Sequence, residues 1–242
     1  MATARGKRFE ELDWQRTPMG EVSLRRRLEP SLLVDVYEVR LGEEYLMSSL
    51  FTVAEVELAR LGLAAVEGTG LGVVVGGLGL GWTARAALAD PRVGALHVVE
   101  ALQPVISWHE RELLPLAGEL VHDPRCTMVL GDFFALVAEG SFGPGVPGRL
   151  DAVLLDVDHS PRHVLHPSHA GFYEAAGLRR LRALLRPGGV FALWSDDRPD
   201  TAFSDVLGDV FASVHAHVVA FANPLTGGES ANTVYVATAP AD

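Results

Sequence analysis

The 242-residue chain predicts an α/β fold: a seven-stranded, mostly parallel sheet with helices on both faces, preceded by a small N-terminal β-sheet. Three observations carry that prediction. From residue 71 onward, short apolar runs alternate with helical stretches, a rhythm that sets parallel strands between covering helices. Between residues 19 and 47, Val, Tyr and Leu alternate with charged residues, as in a half-buried antiparallel sheet. Joining the two patterns, the run LGVVVGGLGLGWTARAAL (71–88) leads an apolar strand through glycines into an alanine-rich helix.

Taken in order, the N-terminal strands are GEVSLRRR, LLVDVYEVRL and, after a Gly42-Glu43 turn, EYLM. Thr52 and Glu55 stand at capping-box spacing, which predicts a helix from Val53 to about Leu61 and a first unit over residues 1–62. The second unit, 63–242, opens after the Gly68–Gly70 break. In it, strands at 71–75, 95–99, 127–130, 150–155 and 190–194 alternate with helices at 82–89, 103–116, 133–138, 171–185 and 201–210. Strands 214–220 and 233–238 have no helix between them and should pair antiparallel at an edge. The Gly- and Pro-rich segment SFGPGVPGR (141–149) reads as a surface loop.

Bulk properties narrow the partners. A formal charge of −11 argues against a nucleic acid, whose phosphates call for a basic face. Cys126, the single cysteine, excludes an internal disulfide and fits a reducing cytoplasm. The N-terminal MATARGKRFEELDW lacks an apolar segment, and no apolar run reaches membrane-spanning length. The expectation is a soluble cytoplasmic protein with neither membrane nor nucleic acid as partner. The small sheet has edges that need cover, which favours a homodimer.

The strand ends carry the chemistry. In open α/β sheets, ligands sit at the carboxyl edge. The first edge is the glycine turn (Gly76, Gly77, Gly79, Gly81), where backbone N–H groups and bare Cα atoms can approach a ligand closely. The second ends in Glu100, suited to receiving both hydroxyls of a ribose. The third ends in Asp132, followed by Phe133, where an acid can accept from an exocyclic adenine amine. The fourth ends in Asp156. A dinucleotide turn wants G-x-G-x-x-G, but G-L-G-L-G-W puts Trp82 at the third glycine. The looser G-x-G-x-G turn fits an S-adenosylmethionine-type nucleoside in a Rossmann-like class I methyltransferase fold, so hydride transfer ranks below group transfer.

The succession VVVGGLGLG, HVVE, LGD, LLDVDHSP and GFYEAAGLRRLRALLRPGGVFALW resembles the spermidine synthase family of aminopropyltransferases and their methyltransferase-like relatives over roughly residues 71–195. The resemblance implies that Glu100 binds ribose, that Asp132 binds adenine, and that Asp156 stands at the family's proton-accepting aspartate. Departures redirect the expectation. The family's G-G-G-D-G-G turn carries an acid facing the aminopropyl end, where this chain has Gly79. Its D-S-S-D-P is D-V-D-H-S-P here, leaving Asp156, Asp158 and His159 as candidate proton acceptors. Its D-E-x-x-Y-H-E stretch has no clear counterpart in Phe51–Leu58, and Asn223-Pro224-Leu225-Thr226 lacks its late tyrosine.

Without the acid at 79, full S-adenosylmethionine is admitted more easily than its decarboxylated form. The leading expectation is therefore methyl transfer from S-adenosylmethionine to a small amine or hydroxyl acceptor, with an acidic crevice favouring a cationic amine. Aminopropyl transfer from decarboxylated S-adenosylmethionine is the alternative, and a non-catalytic nucleoside-binding partner subunit the second alternative. Asp196 and Asp197 read as solvated loop charges, and Arg25–Arg27 as solvated arginines on a strand face. Trp82, Trp108 and Cys126 read as packing residues. His159, His163, His166 and His169 crowd one loop, but Pro161 and Pro167 interrupt any helix that would align them, so no metal is expected. That loop is expected to fold over the substrate.

Overall fold

A computed structural model of the protein describes residues 8–241; the first seven residues of the polar N-terminal stretch and Asp242 lie outside the described residues. Two sheets organise the chain. The small one runs in order β1 (Phe9–Thr17), β2 (Gly20–Glu29), β3 (Val34–Leu41) and β4 (Glu44–Ser48), all antiparallel. After α1 (Val53–Ala64) comes the large sheet, with strand order β10-β11-β9-β8-β5-β6-β7. Its strands are β5 (Leu71–Gly76), β6 (Val93–Glu100), β7 (Cys126–Leu130), β8 (Leu150–Leu155), β9 (Leu185–Ser195), β10 (Ser213–Asn223) and β11 (Gly228–Thr238). Strands β5 to β9 pair in parallel, while β11 runs antiparallel to β9 and β10 antiparallel to β11 at the rim. The expected fold class holds, including the antiparallel final pair.

Period-two alternation explains why the central strands read as unbroken apolar runs. Val73, Val75, Ala152 and Leu154 face one core, shared with α1, α2 (Trp82–Leu88) and α3 (Gln103–Glu110). Val74, Val153 and Leu155 face the other, shared with α5 (Phe133–Glu139), α6 (Ala175–Ala183) and α7 (Thr201–Gly208). Both faces are covered, so neither can be polar. Trp108 is fully buried, as expected of a packing residue. Among the described residues no helix is long and apolar enough to cross a membrane.

Several local expectations are corrected. Phe9–Thr17, not among the expected strands, forms β1, where its acids meet the arginines of β2: Glu10 pairs with Arg26 at 2.9 Å. Arg25, Arg26 and Arg27 are therefore half-buried and paired with Glu11, Glu10 and the Glu29–Glu38 pair, not solvated. The capping box does not form: Thr52 makes no side-chain cap bond, although α1 begins where expected and runs on to Ala64. The helix expected over 103–116 breaks at Arg111 and resumes as α4 (Ala117–Val121), because Pro115 denies Leu114 a helical backbone and Glu112 turns to φ 52°. The helix expected over 171–185 divides too. A 3₁₀ turn covers Pro167–Phe172, and Glu174 is extended (ψ 160°) before α6 begins.

The two sheets meet through Asp13 of β1, which accepts from Trp108 Nε1 at 2.7 Å and Arg111 at 3.1 Å. Trp108→Phe removes one bond to a charged acceptor, which should cost about 1.5–3 kcal/mol, and leaves a cavity in the core that adds to the loss. A lowered urea midpoint at unchanged slope would show it.

Candidate active site

The carboxyl ends of β5, β6, β7 and β8 open into a cavity of about 560 Å³, roofed on one side by the small sheet. Glycine geometry makes its floor. Gly77 holds φ +94°, and a Cβ there would collide with the backbone carbonyl of Asp156. At Gly79 (φ +47°) a Cβ would stand 2.6 Å from the Met47 sulfur, so a thioether from β4 fills the space a side chain at 79 would take. Any L-residue at either position is strained as well as crowded.

Glu100, at the end of β6, is buried and staples this turn: its carboxylate accepts from Leu78 N at 3.0 Å and Leu102 N at 2.8 Å. Burial pushes its carboxyl above the usual range, against the pull of the backbone amides around it. It still borders the cavity, and a carboxylate has lone pairs beyond the two engaged here. His109 closes the turn from beneath. Its ring is wholly buried, and burial pushes it below the ordinary histidine range, so the neutral ring donates from Nε2 to the Gly79 carbonyl at 2.9 Å. Nothing in the sequence pattern singles out His109, because its partner is a backbone carbonyl thirty residues away.

Asp132 borders the cavity beside Gly131, Phe133 and Phe134. One of its oxygens caps α5, accepting from Phe134 N at 2.9 Å and Ala135 N at 3.3 Å, and the other takes no part in that cap. Asp156 is also a lining residue, and its carboxylate accepts from the Thr83 hydroxyl at 2.8 Å. Glu55 from α1 lies against it, which is where the failed capping-box residue goes instead. Burial raises both carboxyls above their ordinary values, and Asp156 raises Glu55 further. One proton is thus retained between them near neutral pH.

Glu100, Asp132 and Asp156 all border one cavity beside Gly77. Asp158 does not join them. Its side chain is wholly buried and spent on Leu165 N at 2.7 Å, His169 Nδ1 at 2.9 Å and the Tyr173 hydroxyl at 2.8 Å. Held by these three partners and away from the cavity lining, it is a positioning residue and not a proton acceptor. His159 lines the cavity half-exposed, with Nε2 3.3 Å from Glu44. Gly76 and Gly81 flank the floor without lining it, Gly81 serving as the left-handed cap of α2. The four histidines of the loop go separate ways: His159 to Glu44, His163 to Asp197, His166 to Ser168 and His169 to Asp158. Asp196 is exposed, with its carboxylate accepting from the Asn232 amide of β11 at 2.7 Å, while the Thr233 hydroxyl donates to the Asp197 backbone carbonyl at 2.6 Å.

No family model matches the chain. A polyamine aminopropyltransferase of Prochlorococcus marinus (strain MIT 9313) is 31% identical over 155 residues, 64% of this chain and 49% of that protein. The chain thus spans about half the length of the curated relative it matches. Spermidine synthase from Thermotoga maritima superimposes with a TM-score of 0.72 at 16% identity, covering 96% of this chain and 74% of that one. A spermidine synthase in complex with the transition-state analogue AdoDATO gives 0.74 at 16% identity over the same shares. Human methyltransferase-like protein 13 in complex with SAH gives 0.52 at 19% identity, covering 78% of this chain and 80% of that one. The resemblance to the spermidine synthase family therefore stands, in sequence over about two thirds of the chain and in fold over nearly all of it.

The Glu55–Asp156 pair has a signed consequence for stability. Carboxyls raised on folding stabilise the protein below their unfolded values, and that contribution fades as pH rises through the folded ones. Glu55→Gln should therefore melt above the wild type near about pH 8–9, each kcal/mol relieved being worth about 2–4 °C, with the gap closing near about pH 4–5. Parallel melting curves at all pH values would refute the shared proton.

Proposed function

We propose that the cavity binds an adenine nucleoside carrying a sulfonium, and that the protein transfers an aminopropyl group from decarboxylated S-adenosylmethionine to a small amine. The convergence of Glu100, Asp132 and Asp156 on one cavity beside Gly77 carries the nucleoside part of this reading. Its volume of about 560 Å³ falls among those of small-molecule sites. Support for the group transferred comes from the relatives. The match in sequence is to a polyamine aminopropyltransferase, and the spermidine synthase likeness takes in 96% of the chain against 78% for the methyltransferase-like protein. Aminopropyl transfer, the alternative at the level of sequence, therefore leads. Methyl transfer from S-adenosylmethionine, favoured there because Gly79 replaces an acid, finds no support among the comparisons.

In this reading Glu100 takes the ribose hydroxyls with the lone pairs its backbone partners leave open. Asp132 takes the base amine with the oxygen not engaged in capping α5. When bound, the donor supplies a carbon made electrophilic by the neighbouring sulfur cation. Gly77 and Gly79 let that end lie against backbone, and Met47 offers the cationic tail a polarizable thioether in place of a carboxylate. Holding acceptor and donor in line contributes several kcal/mol by orientation alone. An attacking amine must be neutral. Asp156, its carboxyl raised to about 6 by burial, takes the amine's proton, and the Glu55–Asp156 pair, which retains one proton near neutral pH, meets a cationic acceptor with a single negative charge.

Asp156→Asn should lower turnover by about 10²–10⁴-fold, the usual worth of a general base. Binding of 5′-methylthioadenosine, followed by calorimetry, should change little. With decarboxylated S-adenosylmethionine and a mixture of small diamines, 5′-methylthioadenosine should accumulate. Release of S-adenosylhomocysteine from S-adenosylmethionine instead would restore methyl transfer, and nucleoside binding without either product would leave a non-catalytic binding subunit.

A further inference from the structure

His169 lies outside the set of site residues legible in the sequence, yet it is the most tightly determined side chain bordering the cavity. Two contacts constrain its ring. Asp158, wholly buried, accepts from Leu165 N and the Tyr173 hydroxyl and holds the His169 Nδ1 at 2.9 Å. The Nδ1 proton is therefore fixed by that carboxylate, which leaves Nε2 as the open nitrogen. The ring stacks on Phe134 with centroids 3.9 Å apart and planes 20° from parallel, so it cannot rotate away. Among the described residues Nε2 makes no hydrogen bond, and the residue borders the same cavity as Asp132, Phe134 and Leu165.

Position along the sheet says which end of the cavity His169 serves. Phe134 opens α5, directly after β7, and β7 is separated from the glycine strand β5 by β6. The ring thus stands at the Asp132 end and not beside the glycine turn. That end offers two acceptors, the Asp132 oxygen not engaged in the cap and His169 Nε2, beside apolar Leu165 and the phenylalanines. Two acceptors together suit a flat heterocycle that presents an amino group. They reject one that presents a carbonyl at the same edge, because acceptor would then face acceptor.

From this we infer that His169, held by Asp158 and Phe134, reads the base: its Nε2 accepts from the exocyclic amine and selects 6-aminopurine over 6-oxopurine nucleosides. The inference rests on the proposed nucleoside reading of the cavity and adds a specificity-determining residue to it. Asp158, held by its three partners and remote from the ligand, acts through His169.

Calorimetric titration with 5′-methylthioadenosine and with its 6-oxo analogue, 5′-methylthioinosine, tests it. The wild type should prefer the amino form by at least about tenfold, one hydrogen bond converted at about 1.4 kcal/mol per decade. Two variants separate reading from packing. His169→Asn places an amide where Nδ1 was, keeping the Asp158 bond and deleting the open nitrogen. His169→Phe keeps the stack and deletes both nitrogens. Each should weaken 5′-methylthioadenosine about tenfold and shrink the amino-over-oxo ratio by a similar factor. A purely structural histidine would lower the melting temperature and leave the ratio alone. An unchanged ratio in both variants, or a wild type that binds the two nucleosides equally, overturns the inference while the nucleoside reading stands. A wild type that binds neither overturns both.

Discussion

A carboxylate that meets almost no water sits where β6 ends, and the geometry of the cavity hangs on it. Glu100 accepts from Leu78 N in the glycine turn and from Leu102 N at the entry to α3, tying two strand–helix junctions together through one side chain. The enclosure that pushes its proton affinity up is tolerated because backbone amides surround the charge. Removing the carboxylate would orphan those amides and slacken the turn that brings Gly77 against Asp156. His109 completes the clamp by holding the Gly79 carbonyl from the opposite side. The turn is thus gripped at both its donors and its acceptors, which is how a run of four glycines, flexible on its own, comes to have one shape.

The small sheet is part of the site, not an appendage to it. Gln15, Arg16 and Thr17 from β1, Leu41 from β3 and Met47 from β4 all border the cavity. Its inner residues Val22, Leu24 and Val39 join the same core as α1 and β5. Charge pairing lets so polar a sheet form: glutamates of β1, β2 and β3 neutralise the three consecutive arginines of β2. An acidic chain thereby spends much of its positive charge internally, leaving Glu100, Asp132, Asp156 and Glu55 to set the field at the strand ends.

The segment after β8 shows how similar residues part company on folding. Asp156 and Asp158 are two positions apart, which in a continued strand would set them on one side, but the chain leaves strand geometry after Leu155 and the two part. Asp156 turns towards Thr83 and Glu55, under the glycine turn, where a second acid holds its proton affinity up. Asp158 turns towards the core below α5 and α6, where Leu165 N, His169 Nδ1 and the Tyr173 hydroxyl hold it. Tyr173 joins that buried network, and its phenol is pushed far up by the carboxylate and by enclosure. The loop is pinned at both ends, Asp158 taking Leu165 N and Arg162 pairing with Asp200, so it forms a fixed wall of the cavity.

Local sequence determined the sheet, its alternation with helices, the glycine turn, and which three acids end the central strands. Each of these follows from periodicity or from a residue's place at a strand end, both set within about a dozen residues. Helix boundaries failed where a proline or a long-range bond overrode periodicity, as at Leu114 and Tyr173. Beyond reach of the sequence lay every partner brought in from afar: Glu55 to Asp156, Met47 to Gly79, His109 to the Gly79 carbonyl, Asp13 to Trp108. The choice between Asp156 and Asp158, identical in type and two residues apart, belongs to the tertiary structure alone. It depends on which donors and charges face each carboxylate, and those arrive from other strands and helices only when the chain closes on itself.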